Sequence, residues 1–224
     1  MLEIEIKSLL GSKERADELK RRLARLFPSL ETLPTHKQLN HYFNTPADLS
    51  VFENAVKPLL APSKQRELSE IVKAVRGGVS VRTREADGAV FVILKASIGD
   101  DSSANGVSRI EFEEKVNLSL DELDRLLLSA GLTYQAKWSR EREEFVAGAT
   151  HITIDKNAGY GYLAEFERMV ERQSDVAQAK QDIVSLMKQV GAEELPQERL
   201  ERMFKHYNEH WKEYYGTDKV FVIE

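Results

Sequence analysis

The sequence predicts an α+β fold that is mainly β: an eight-stranded antiparallel β-barrel with a charged interior, covered on its outside by helices. In residues 2–7 charged and apolar side chains alternate strictly, which places Glu3, Glu5 and Lys7 on one face of a strand. The same alternation returns in later segments, and most of the strands follow one another as hairpins without parallel βαβ units. The apolar faces need covering, so the charged faces are expected inside.

The recurrence of the charged faces carries this prediction, because residues 2–7 alone would equally fit an ordinary amphipathic edge strand in water. Solvated strand faces usually mix Thr, Ser, Gln and Lys, whereas this chain concentrates Arg and Glu. The recurring charged positions are, in chain order, Arg82 and Arg84, Lys95, Arg109 with Glu111 and Glu113, Arg140 and Arg142, Asp155, and Glu165 with Glu167.

The first part of the chain predicts a strand, a helix, a second strand and an insertion. Ser12 is a suitable N-cap for a helix to about Phe27, where Pro28 follows. A strand is expected over 36–43, and residues 47–76 form an irregular, partly helical insertion that could serve as a lid.

The middle of the chain predicts a hairpin and a capped helix. Two glycines at 77–78 lead into strands at 79–85 and 89–97, a polar loop at 99–106 and a strand at 107–116. Ser119 with Glu122 three residues later is a capping box that opens a helix to Ala130.

The last part predicts three strands, at about 134–146, 151–155 and 163–170, and two helices over 174–215. Ser174 is the expected N-cap of the first helix, and Pro196 opens a second helix that is rich in aromatic residues. That helix could cap a mouth of the barrel, cover its apolar outside or form a homodimer contact, and ordinary packing is favoured. We expect a single domain over 1–224 whose core strands lie within 1–170.

Composition restricts the compartment and the partners. The 224 residues include 32 basic and 37 acidic side chains, a net charge of −5 and no cysteine. A nucleic-acid binder would usually show a basic excess, so nucleic acid is not expected as a partner. With no basic and apolar leader and no apolar run of about 20 residues, we expect a cytoplasmic protein without a membrane partner.

The charged positions predict a ligand that combines a cation with an anionic group. Two carboxylates on one strand face repel each other unless a cation lies beside them, and a neighbouring lysine suits an anion. A polyphosphate chelated to a divalent ion meets both needs. Oxygen ligands without cysteine point to Mg²⁺ or Mn²⁺, and the five histidines show no ligand cluster.

The ordered motifs resemble the CYTH family, the triphosphate tunnel metalloenzymes. The family's N-terminal Glu-x-Glu-x-Lys is present as Glu3, Glu5 and Lys7, and residues 38–46 resemble its second-strand motif, with Asn44 where Asp is usual. The other charged positions follow in the family's order, so the resemblance covers about residues 1–170. It implies a triphosphate-containing small molecule in an eight-stranded tunnel.

The resemblance also implies roles for the charged residues. Glu3, Glu5 and Lys7 would be catalytic, and the other residues divide into two sets by charge. The expected substrate-binding residues are Lys7, Arg82, Arg84, Lys95, Arg109, Arg140 and Arg142. The expected metal ligands are Glu3, Glu5, Glu111, Glu113, Asp155, Glu165 and Glu167.

Three functions stay open at this point. The first is metal-dependent hydrolysis of inorganic triphosphate or of an organic triphosphate such as thiamine triphosphate. The second is a class IV adenylyl cyclase that converts ATP to cyclic AMP and pyrophosphate, because one tunnel could serve either phosphoryl transfer. The third is a polyphosphate- or nucleotide-binding module without catalysis.

Overall fold

The structure is a computed structural model that describes residues 2–46, 48–75, 78–97 and 109–223. The polar loop expected at 99–106 lies outside these residues. The strands are β1 (Leu2–Gly11), β2 (Glu31–Thr32), β3 (His36–Phe43), β4 (Val79–Ala86), β5 (Ala89–Ser97), β6 (Arg109–Val116), β7 (Tyr134–Ala147), β8 (Thr150–Asn157) and β9 (Gly161–Val170). The helices are α1 (Lys13–Leu26), α2 (Ser50–Val56), α3 (Pro62–Ala74), α4 (Leu120–Ser129), α5 (Val176–Gln189) and α6 (Gln197–Tyr214). The α+β fold class with eight main antiparallel strands is confirmed, and β2 is a ninth, two-residue strand.

The described chain divides into two compact units, and β7 contributes to both. The first unit contains residues 2–37 and 139–223, and the second contains the described residues of 38–97 and 109–138. In the first unit the strand order is β1-β9-β8-β7, with β2 paired to β7. In the second unit the order is β7-β3-β4-β5-β6.

The core of the first unit lies on the apolar face of its strands. Ile4 and Ile6 of β1 pack in one cluster with Phe166 of β9 and with Leu23 of α1 and Ile183 of α5. All five of these side chains are buried. The alternation of β1 therefore does what the sequence predicted, since every second side chain enters a core that two helices cover.

The core of the second unit is built in the same way. Val81 and Leu94 from the β4–β5 hairpin pack with Phe112 of β6, Phe52 of α2 and Leu68 of α3. The insertion at 47–76 thus contributes α2 and α3 to the layer that covers this sheet. We interpret it as a covering layer and not as a lid.

Helix capping is partly as predicted. Ser12 caps α1 by accepting a hydrogen bond from the Arg15 backbone N–H, and Ser119 forms both halves of its capping box with Glu122. The cap expected at Ser174 is wrong. A short 3₁₀ turn over Gln173–Asp175 precedes α5, whose N-cap residue is Asp175 with no side-chain capping bond.

The aromatic residues of α6 divide between the core and the C-terminal segment. Met203 and Tyr207 are buried, as expected for ordinary packing. Tyr207 contacts the rings of Tyr160 and Tyr214, and Phe221 packs against Tyr160 from the segment after α6. Across the described residues, no helix has the length and apolar character needed to cross a membrane.

Candidate functional site

The charged face of the first unit is built by the register of its strands. On β1 and β9, Glu5 lies directly opposite Glu167 and Lys7 opposite Glu165. Side chains opposite each other on antiparallel strands have Cβ atoms about 4.5–5.5 Å apart, and like charges there are unfavourable. Lys7 relieves this repulsion, because its ammonium contacts Glu5 and lies 3.5 Å from Glu165.

A buried arginine and carboxylate pair occupies the next strands of the same face. Asp155 of β8 is fully buried and accepts hydrogen bonds from Arg142 Nε at 2.7 Å and Arg142 Nη2 at 2.6 Å. Arg140 adds a bond of 2.9 Å, and Arg142 also donates to Glu165 at 3.0 Å. Burial acts to lower the pKa of the Arg142 guanidinium, but the Asp155 and Glu165 carboxylates outweigh it and raise that pKa.

The second unit has a charged face of its own on β3, β4, β5 and β6. Arg84 donates to Asn40 Oδ1 at 2.8 Å and to both carboxylate oxygens of Glu113 at 3.0 Å. Lys95 lies 2.9 Å from Glu111. Burial would raise the pKa of the Glu111 carboxyl, but Lys95 and the charges of Arg82 and Arg84 lower it.

Arg82 differs from the other cations of this face. It is 8% exposed, its guanidinium carbon lies 4.7 Å from the centre of the Tyr42 ring, and its Nη1 donates to the Tyr42 hydroxyl at 3.1 Å. Its buried Nε has no hydrogen-bond partner, and no carboxylate is paired with it, within the described part of the chain. A buried guanidinium whose hydrogen bonds are incomplete is costly, so this group is suited to an anionic ligand.

The sequence-predicted residues thus fall into two groups by unit. Those on the first unit's face are Glu3, Glu5, Lys7, Arg140, Arg142, Asp155, Glu165 and Glu167. Those on the second unit's face are Arg82, Arg84, Lys95, Glu111 and Glu113. Arg109 is paired with Ser97 in the strand register, and its side chain lies outside the described part of the structure.

Sequence reasoning missed polar residues that share these faces. On the first face Thr153 lies between Glu165 and Glu144, and His151 contacts Glu144 at 3.0 Å. On the second face the missed residues are Asn40 and Tyr42. Their alternation along the strand is a usable signal, but neutral polar side chains on a strand do not by themselves indicate a binding site.

The carboxylate oxygens meet part of the ligand requirement of a hard divalent ion. Within residues 2–46, 48–75, 78–97 and 109–223, no group of three Asp, Glu or His side chains could hold a metal ion. Mg²⁺, however, is usually held by one or two carboxylates, with waters and substrate phosphates completing its ligands. The opposed pair of Glu5 and Glu167 supplies two carboxylates, which fits that smaller requirement.

Comparison with known proteins identifies the family. The CYTH domain model matches residues 1–199. No curated protein matches the chain.

Solved structures with the same fold cover most of the chain at low identity. The PH1819 protein of Pyrococcus horikoshii is 20% identical with a TM-score of 0.59, and 87% of this chain and 93% of that one are covered. The PH1012 protein of the same organism is 16% identical with a TM-score of 0.59, over 88% and 98%. A candidate adenylate cyclase from Vibrio parahaemolyticus is 19% identical with a TM-score of 0.58, over 90% and 98%. At these identities the likeness shows the fold alone, and the family follows from the domain match: this chain belongs to the CYTH domain family.

Proposed function

We propose that this protein is a divalent-metal-dependent triphosphatase that hydrolyses inorganic triphosphate or an organic triphosphate such as thiamine triphosphate. The observation that carries the proposal is Arg82, a buried guanidinium on a charged strand face with no paired carboxylate in the described structure. Membership of the CYTH family supports the same chemistry, since triphosphates are the ligands that the sequence resemblance implies.

The second unit's charged face is assigned to phosphate binding. Arg82 would bind phosphate oxygens through its guanidinium, and Tyr42 fixes the plane of that guanidinium from one side. Arg84 and Lys95 are held by Glu113 and Glu111. These carboxylates keep the two cations in place. An incoming phosphate chain would bind the same two cations.

The first unit's charged face is assigned to metal and phosphate binding. A magnesium or manganese ion, when bound, would neutralise phosphate charge and polarise an attacking water. Glu5 and Glu167 would hold it, and Glu3 or Glu5 would accept the proton of the attacking water. Lys7 and Arg142 would hold phosphate oxygens, and Asp155 orients Arg142 from the buried side.

A panel of substrates tests the proposal. Purified protein is incubated with inorganic triphosphate, thiamine triphosphate, ATP and long-chain polyphosphate, with Mg²⁺, with Mn²⁺ or with excess chelator. We expect orthophosphate release that requires the metal and falls when Arg82 is replaced by Ala. The matched control is Arg125→Ala, because Arg125 is exposed on α4 away from the charged faces.

The panel also separates the other functions. Cyclic AMP with pyrophosphate from ATP would establish the cyclase instead. Binding of triphosphate without any product would establish a binding module. Hydrolysis that continues unchanged in chelator would refute the proposed role of the metal.

A further inference from the structure

The apolar side of the second unit contains a buried polar cluster that the proposed chemistry does not use. Its centre is Asp124 of α4, which is 2% exposed. Its carboxylate accepts hydrogen bonds of 2.6 Å each from His41 Nδ1, the Thr83 hydroxyl and the Tyr134 hydroxyl. Lys137 lies 3.6 Å away.

The protonation of this cluster follows from its bonds. An ionised carboxylate only accepts hydrogen bonds, so His41 must carry its proton on Nδ1. Burial would raise the pKa of Asp124, but the three hydrogen bonds from His41, Thr83 and Tyr134 lower it. Asp124 is therefore a charged group held below the sheet by three donors.

The position of the two strand donors links this cluster to the charged face. His41 and Thr83 are directly opposite each other on β3 and β4. Successive residues of a strand point to opposite faces, so their neighbours in sequence lie on the charged side. On one flank Asn40 is opposite Arg84, and on the other Tyr42 is opposite Arg82.

We propose that Asp124 is a positioning residue for triphosphate binding: through His41 and Thr83 it holds β3 and β4 in the register that places Arg82 and Arg84. This inference rests on the proposed function. Each arginine bonds to the β3 residue opposite it, Arg84 to Asn40 and Arg82 to Tyr42. A shift of either strand would move a guanidinium and its partner apart.

Variants of Asp124 and Thr83 test this role by KM for inorganic triphosphate. Asp124→Asn keeps the shape but removes the charge and turns one acceptor oxygen into a donor, so the charge-assisted bonds weaken and the Thr83 hydroxyl must accept where it donated before. Because misplacing binding groups weakens ground-state and transition-state binding alike, we expect KM to rise about tenfold while kcat stays within about twofold. Asp121→Asn is the matched control, because Asp121 is exposed on the same helix.

The Thr83 series covers the case in which Asp124→Asn fails to fold. Thr83→Val removes the hydroxyl and keeps the branched shape, so KM should rise. Thr83→Ser keeps the hydroxyl, so KM should stay near the wild-type value. A purely structural role would lower the melting temperature and the folded fraction but leave the KM of the folded protein unchanged.

A double-mutant cycle and a binding measurement complete the test. If Asp124 acts through Arg82 and Arg84, the effect of Asp124→Asn on the triphosphate Kd should shrink when either arginine is replaced by Ala, and fall to about twofold or less when both are replaced. Unchanged KM in both Asp124→Asn and Thr83→Val, with wild-type protein that binds triphosphate in a calorimeter, would overturn this inference alone. Wild-type protein that neither binds nor cleaves triphosphate would refute the proposed function instead.

Discussion

Replacing Asp155 by Asn should destabilise the first unit strongly without unfolding it. The change keeps the size of the side chain and removes its charge. Asp155 is fully buried, and Arg142 donates two hydrogen bonds to it while Arg140 donates a third. The variant therefore leaves two guanidinium groups with less negative charge around them.

The structure sets the size of the loss. Breaking a buried ion pair by removing one partner costs about 3–5 kcal/mol, because the other charge stays buried. Arg142 keeps its bond of 3.0 Å to Glu165, which places the expected loss near the lower end, at about 3 kcal/mol. The usual stability of a domain is about 5–15 kcal/mol, so the variant should still fold.

Urea denaturation followed by circular dichroism measures this loss. With a slope of about 3 kcal/mol per molar urea, the midpoint should fall by about 1 M. Glu141→Gln is the matched control, because Glu141 is on the same strand as Arg142 and its carboxylate is half exposed, 3.6 Å from Lys37. Its midpoint should stay within about 0.2 M of wild type, since exposed pairs contribute about 0–1 kcal/mol.

Salt provides a second criterion for the Asp155 prediction. Buried ion pairs are screened much less than exposed ones, so the gap between wild type and Asp155→Asn should persist in 1 M NaCl. A gap below about 0.3 M urea at low salt, or one that disappears at high salt, would refute the reasoning. Either result would mean that water reaches Asp155.

Three further outcomes follow from the structure. Gly161→Ala should cost at least about 2 kcal/mol more than Gly148→Ala in urea denaturation, because both glycines have positive φ but only at Gly161 would a Cβ lie 2.3 Å from a backbone oxygen, that of Gly11. Asp124 should stabilise the protein above pH 3.8 and lose that contribution as the pH falls through its lowered folded pKa, so the urea midpoints of wild type and Asp124→Asn should converge below pH 4. Tyr207→Ala should cost about 3–5 kcal/mol in the same assay, because this aromatic ring is fully buried.

Most of the fold could be predicted because charge and hydrophobicity alternate along nearly every strand. The strand at His36–Phe43 agrees with its predicted bounds, and the capping box predicted at Ser119 is confirmed. The cap predicted at Ser174 is wrong because the capping preference of a serine competes with local turn geometry. Here Ser174 lies inside the 3₁₀ turn over Gln173–Asp175. The position of an N-cap depends on how the preceding residues enter the helix, which the local sequence pattern does not specify.

The candidate site could be predicted only for its charged members. Arg82 and Arg84 were found because arginine is uncommon on a strand face, whereas Asn40 and Tyr42 look like ordinary strand residues. Asp124 could not be found at all. It is about 80 residues from His41 in sequence. It also lies on α4, whose amphipathic pattern predicts that its acidic residues are exposed to solvent.

The missed residues show why alternation alone understates the chemistry of these strands. A two-residue period assigns one face to the ligand and the other to the core, as if the faces were independent. On β3 they are coupled, because Asn40 and Tyr42 contact the arginines while His41 between them is fixed by a buried charge. A hydrogen bond has a direction and a hydrophobic contact does not, so a polar anchor fixes the register of two strands more sharply than Val or Leu would. We therefore interpret Asp124 as a residue that fixes the register of β3 and β4. Its three hydrogen-bond donors offset the cost of removing its charge from water.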